Sequence, residues 1–262
     1  MLIKERQSES GHWYSREGLP AYSIQGKNGN LRPTTLRDAR TNNLVPSVTT
    51  IISVAAKPGL DTWKQQQVLL SALTLPRQTG EPEQSWLERV MMDSKQTGRV
   101  AADRGTAIHA IIQSFFEGAL IPESMPICRP VEEAIKTHFG ELLLLPELSF
   151  AHPLGYGGKA DLIAKSRHDF DGVSIDIKTK ETEDISKVDI YPEHGMQLAA
   201  YRCGFNMPKA RCANVFVGYK MVNGNIVFTG VKVVEHEAVD LDKYWLMFIK
   251  LLEFWQLKNN HK

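Results

Sequence analysis

Two aspartates and a lysine have the types and spacing to do chemistry. Asp161 ends the run Gly158-Lys159-Ala160-Asp161, Asp176-Ile177-Lys178 follows fifteen residues later, and Gln197-Leu198-Ala199-Ala200-Tyr201 lies beyond. Two carboxylates brought to one point make a hard, oxygen-rich site suited to Mg²⁺ or Mn²⁺. Phosphodiester hydrolysis needs such a site, because the attacking water must lose a proton and charge on the phosphoryl oxygens must be neutralised. A divalent cation supplies both, and Lys178 would orient the water or stabilise the developing charge. An Asp-x-Lys triplet alone is more often a surface ion pair; the full constellation carries the reading.

The elements that must position these residues are strands. Leu148, Phe150, His152 and Leu154 alternate with Ser149, Ala151 and Pro153, and the strand runs into a glycine-rich turn at Gly155, Gly157 and Gly158. Ala160 to Lys165 reads as a second strand. The polar segment ending in Asp171-Gly172 reads as a hairpin, and Val173 to Lys178 as a third strand. Residues two apart share a face, so Asp176 and Lys178 project together while Val173, Ile175 and Ile177 point into the core. Asp161 then sits across from Asp176. Glu147, at the start of the first strand, is the candidate third carboxylate, although an exposed strand-end glutamate is equally ordinary.

With these residues in place the chain resembles the PD-(D/E)XK nuclease superfamily, in its RecB-like and phage-type exonuclease branch. The carriers are Asp161, Asp176-Ile177-Lys178, the GYGGKAD approach, a Gln197/Tyr201 pair matching the QxxxY helix, His109 in Arg104-Gly105-Thr106-Ala107-Ile108-His109, and Pro46-Ser47-Val48-Thr49-Thr50-Ile51. Mitochondrial genome maintenance exonucleases and many phage exonucleases look similar over roughly residues 45 to 220. Ala160 stands where the superfamily name has Pro. The resemblance implies a restriction-endonuclease-like α/β core, a central mixed sheet flanked by helices. It implies a Mg²⁺-dependent deoxyribonuclease, with Mn²⁺ as substitute, acting as an exonuclease in phage or bacterial recombination, repair or DNA processing. The metal ligands would be Asp161, Asp176, the Ile177 carbonyl, His109 and Glu147. Lys178 and His109 would join the two aspartates in catalysis, and Gln197, Tyr201, Lys159, Lys180, Ser47 and Thr50 would contact DNA. A single-strand annealing or binding protein is the implied partner. The same motifs serve structure-specific and restriction-type endonucleases, and a catalytically silent DNA-binding protein could keep the fold.

Around this centre, residues 1–45 read as a partly irregular N-terminal arm and 46–262 as one nuclease domain. The arm interleaves Trp13, Tyr14 and Tyr22 with Lys27, Arg32, Arg37 and Arg40. That pattern suits a strand-gripping surface, or equally a hairpin packed on the domain. Ser47 or Thr49 could cap a helix, and Pro58 opens another. From Glu83 to Gly118 helical spacing is broken by Gly98 and Gly105, with His109 on the edge of the buried stripe. Val131 to Leu145 reads as a helix ended by Pro146. The polar stretch from Lys180 to His194 reads as a loop over the cleft, free to move. Glu193 to Phe205 is the helix carrying Gln197 and Tyr201. Asn223-Gly224 joins a second hairpin, and Leu241 to Trp255 forms an amphipathic helix that should cover the sheet or bury a contact with a second copy.

Composition narrows the classes. The formal net charge of +1 excludes a uniformly basic coat, so DNA contact would come from a local groove of Lys159, Lys165, Lys178 and Lys180. Cys128, Cys203 and Cys212 lack CxxC spacing, which argues against a disulfide framework, a zinc site or the iron–sulfur cluster some RecB-like relatives carry. No GxxxxGK[ST] loop is present, so no nucleotide cofactor is expected. With no long apolar run, the expectation is a cytoplasmic protein with no membrane contact.

Overall fold

The computed structural model describes residues 11–165 and 171–262. The chain forms two compact units, the segment Ala55–Ile111 and the residues on either side of it. The hairpin turn expected between Lys165 and Gly172 lies mostly outside the described residues.

The larger unit begins with β1 (Trp13–Tyr14), β2 (Ser23–Gln25), β3 (Leu31–Pro33), α1 (Leu36–Thr41), β4 (Val45–Pro46) and α2 (Val48–Ile52). β1 pairs with β4 and β2 with β3, both antiparallel. Burial takes the aromatic residues Trp13 and Tyr14 out of any strand-gripping surface, while Lys27, Arg32, Arg37 and Arg40 stay exposed. Trp13 and Tyr14 are core residues, and the Tyr14 hydroxyl is bonded to that of Tyr22 at 2.6 Å. Arg32 is held by Asp38 and Arg40 by the Asn259 carbonyl. Ser47 caps α2, its Oγ accepting the Thr50 N–H at 3.0 Å. The helix ends at Ile52 because only one turn of apolar residues, Val48, Ile51 and Ile52, packs inward.

In the smaller unit, α3 (Pro58–Thr74) starts with its proline at the first turn, where no backbone donor is missed. α4 (Glu83–Phe116) runs unbroken through Gly98 and Gly105, against the expected break. A helical glycine costs about 1 kcal/mol relative to alanine, which a long hydrogen-bonded ladder absorbs. An added Cβ at Gly98 would meet the Trp63 ring at 3.6 Å, an ordinary contact, so packing does not demand glycine there. The last residues of α4, from Ile112, count with the larger unit.

α5 covers Met125–Phe139 and is terminated by Gly140 at φ +81°, earlier than the expected Pro146. Pro146 instead lies within β5 (Leu145–His152), an edge strand, where a missing N–H is tolerated. β6 (Tyr156–Lys165), β7 (Gly172–Glu181), α6 (Pro192–Gly204), β8 (Arg211–Val222), β9 (Asn225–His236) and α7 (Ala238–Asn259) follow. The five-stranded sheet has the order β5-β6-β7-β8-β9. Its pairs are antiparallel except β7–β8, which α6 connects as a parallel crossover, so the sheet is mixed. Asn223 and Gly224, both at positive φ, close the β8–β9 hairpin as expected.

Two details differ from the sequence reading and shape the site. Gly157 and Gly158 lie inside β6 and not in a turn, because packing needs their missing side chains. A Cβ on Gly158 would stand 2.8 Å from the Tyr201 ring and 2.9 Å from the Phe150 ring. α7 packs mainly on α6 and α2, reaching the sheet where Phe248 meets Tyr156 at 4.9 Å between ring centroids. Leu246, Phe254 and Leu257 of α7 remain exposed. Among the described residues no helix is long and apolar enough to cross a membrane.

Candidate active site

β7 is covered on both faces, so the expected split into a core face and an open face does not hold. Ser174 and Asp176 are as buried as Val173, Ile175 and Ile177, with Asp176 at 2% exposed. A buried carboxylate must be hydrogen-bonded or paired. Lys178 Nζ reaches Asp176 Oδ1 at 3.0 Å and Oδ2 at 2.8 Å. Asn214, its direct partner on β8, donates Nδ2 to Oδ2 at 2.7 Å.

Asp161 occupies the neighbouring strand. The β6–β7 ladder ends at Leu162 against Ile175, and one further step sets Asp161 against Asp176. At that step the Asp161 side chain takes the Ile177 N–H itself, Oδ2 accepting at 2.6 Å. On the other side, the pairs Pro146–Leu162 and Leu148–Ala160 bracket Glu147 and Asp161. One rung across four strands therefore carries Glu147, Asp161, Asp176 and Asn214. Glu147 holds a left-handed backbone, φ +55°, inside a strand. Such a conformation costs on the order of 1–3 kcal/mol and clusters at functional sites. Its carboxylate is paired with Lys159.

Burial, with Asp176 and Glu147 as neighbouring carboxylates, pushes the Asp161 carboxyl up to about 7. The Ile177 N–H and Lys178 oppose that shift without cancelling it. The rung thus brings three carboxyl groups close enough to interact. Its donors are carboxylate oxygens, the set a hard divalent cation takes, and Mg²⁺ needs only one or two of them alongside water. Asp161 and Asp176 fit such an ion. Among the described residues no three His, Cys, Asp or Glu side chains converge closely enough to hold one by themselves.

Gln197 and Tyr201 stand one turn apart on α6, over this centre. Lys178 Nζ donates to Gln197 Oε1 at 3.0 Å, and Gln197 Nε2 donates to the Tyr201 hydroxyl at 2.9 Å. Both residues are buried, and their hydrogen bonds brace Lys178. Ser47 is likewise buried, its hydroxyl shared with Thr49 and Thr50, and acts as a helix cap. Lys180 and Lys165 are exposed. His109 lies on α4 in the smaller unit.

The Tyr201 hydroxyl bond joins two neutral groups, so its loss is modest. Tyr201→Phe should remove about 0.5–1.5 kcal/mol of stability. Thermal unfolding of the variant beside the parent checks this. An unchanged unfolding temperature would show that the hydroxyl bond contributes nothing to holding Gln197.

A cleft of roughly 310 Å³ opens at Lys178, lined by Lys180, Lys187, Tyr191, His194 and Phe216 together with Glu181, Asp184 and Asp189. The loop above it is tied down, contrary to the expected freedom. Ile185 is buried, Lys232 Nζ donates to the Ser186 and Val188 carbonyls, and Thr229 Oγ1 donates to the Thr182 carbonyl.

Sequence reasoning missed Asn214, His194 and His236. Burial first, then the Lys178 charge, holds the His194 imidazole below its usual range, which places it beside the centre. Asn214 had a signal, a lone amide in the apolar run Cys212 to Val217. His236 had none, because only the register of β9 brings it near.

No family model matches this chain, and no curated protein matches it. Among solved structures, an alkaline exonuclease (LHK-Exo) from Laribacter hongkongensis is 14% identical over 76% of this chain and 97% of its own, with a TM-score of 0.29. A second, the protein SSO0001, is 13% identical over 74% of this chain and 87% of its own, with a TM-score of 0.27. Likenesses this loose decide neither the fold nor the activity of this chain.

Proposed function

We propose that this chain is a divalent-metal-dependent deoxyribonuclease, working as an exonuclease, with its centre at Asp161, Asp176 and Lys178. The observation that carries the reading is the polar rung, in which carboxyl residues stand at adjacent positions of β5, β6 and β7 and the half-buried Lys178 pairs with the innermost of them, Asp176. A structural ion pair would be satisfied by Asp176 and Lys178 alone. It would not call for a second aspartate turned onto the Ile177 N–H beside the first, nor for a glutamate in a left-handed backbone on the same rung.

Asp161 and Asp176 would hold Mg²⁺ or Mn²⁺, which when bound supplies a more acidic water and neutralises charge on a phosphodiester. The chain's own groups do the rest. The Ile177 N–H fixes Asp161 Oδ2 beside Asp176. Lys178, held by Asp176 and Gln197, keeps a positive charge at the mouth of the cleft, where phosphoryl oxygens gain charge in the transition state. Lys180 and Lys187, along the same cleft, would take flanking phosphates.

The test is digestion of end-labelled linear DNA beside a covalently closed circle, in Mg²⁺, Ca²⁺ or EDTA. Linear DNA should be degraded from its ends in Mg²⁺, with little cleavage in Ca²⁺, which tolerates loose geometry and activates water poorly. Cutting of the circle would make the enzyme an endonuclease. Full activity in EDTA would remove the metal, and no activity with any DNA would remove the reading.

A further inference from the structure

The hydrogen-bonded chain through the centre continues past Asp176, away from Lys178. Asn214 is fully buried, and while its Nδ2 donates to Asp176 Oδ2, its Oδ1 lies 2.7 Å from His236 Nε2. A primary amide has one donating end and one accepting end. Its acceptor can face His236 only if His236 carries its hydrogen on Nε2. Turned over, the amide would set its oxygen against a carboxylate oxygen, and in a buried site that repulsion has no water to relieve it. Asp176 thereby sets which way Asn214 faces, a His236 N–H secures the amide from its far end, and Asn214 so held keeps the carboxylate plane of Asp176. The His236 ring is itself set edge-on against Tyr244, 6.1 Å between centroids.

Nothing in the fold requires this arrangement. Asn214 stands between Ala213 and Val215 in a strand that is otherwise apolar from Cys212 to Val217, and a valine or leucine there would pack without demanding two partners. A buried amide with both ends matched is retained for what it orients.

We propose that Asn214 and His236 are positioning residues that hold Asp176 ready for the metal, His236 acting only through Asn214. The proposal rests on the nuclease reading above. Groups that orient metal ligands from behind typically change metal affinity or activity about tenfold to a hundredfold when removed.

The experiment compares the full chain with His236→Phe, which keeps a ring against Tyr244 but has no N–H, and with His236→Gln, which restores a donor. Mn²⁺ binding is measured by calorimetry without DNA, beside thermal unfolding and the Mg²⁺ concentration giving half-maximal cleavage. His236→Phe should weaken Mn²⁺ binding about tenfold and raise the Mg²⁺ requirement in parallel. His236→Gln should recover most of both. A merely structural role would lower the unfolding temperature of His236→Phe and leave Mn²⁺ affinity where it was, which would overturn the proposal. Equal losses in the two variants would overturn it as well, since the donor would then be irrelevant. Should His236→Phe fail to fold, His236→Leu against His236→Gln gives the same contrast. A parent chain that binds no Mn²⁺ refutes the nuclease reading instead, whatever the variants do.

Discussion

Asp176→Asn and Lys178→Met should each reduce cleavage to background while the sheet still forms. Asparagine keeps the shape of Asp176 but loses the charge that would bind the cation and one of the two acceptors that Lys178 and Asn214 use. Methionine keeps the stem of Lys178 and its packing, and what disappears is the ammonium at the cleft. Removing one preorganised group that stabilises charge in the transition state costs about a hundredfold to a thousandfold in rate. Each change also leaves one member of the Asp176–Lys178 pair without its counter-charge, and breaking a buried pair is destabilising by about 3–5 kcal/mol. The variants are therefore compared below their own unfolding temperatures, with circular dichroism confirming the fold. Retained activity in either would dismiss the centre.

Asp161→Asn should separate stability from activity, raising one and abolishing the other. The folded-state pKa of Asp161 is raised, to about 7, above its value in the unfolded chain. The folded state therefore holds a proton that the unfolded state releases, and this group's contribution to stability falls as pH rises from about 4 to about 7. Above that window the carboxylate is charged beside Asp176 and Glu147, and its repulsion weakens the fold. Asparagine keeps an oxygen for the Ile177 N–H and removes the charge. Without metal, the variant should melt higher than the parent at pH 8, by about 2–4 °C for each kcal/mol relieved, and the gap should close near pH 4. Mg²⁺ should raise the melting temperature of the parent at pH 8 and leave the variant nearly unmoved, since an added cation relieves the same repulsion. Calorimetric unfolding at both pH values, with and without Mg²⁺, measures all four terms. A variant no more stable than its parent at pH 8 would show that the three carboxylates do not repel one another as placed.

The amino-acid sequence by itself determined what depends on short-range pattern. Alternation located β5, β7 and the β8–β9 hairpin, Asn223-Gly224 located its turn, and the spacing of Asp161 and Asp176 set the two aspartates level on neighbouring strands, because pairing two antiparallel neighbours across a short connection leaves little choice of register. The tertiary structure decided what depends on distant segments. Whether Trp13 and Tyr14 grip a ligand or fill a core is set by what covers them, and Trp255 of α7 meets Trp13 from the far end of the chain. Gly157 and Gly158 read as a turn because glycine pairs usually are one, and only the rings of Tyr14, Phe150 and Tyr201 explain them within a strand. Asn214 reaches Asp176 through the parallel β7–β8 register, which the α6 crossover fixes over a long separation that no local pattern encodes, and His236 reaches Asn214 from β9. Side chains that share a rung come from four strands, and a linear sequence records the strands without recording which of their residues end level.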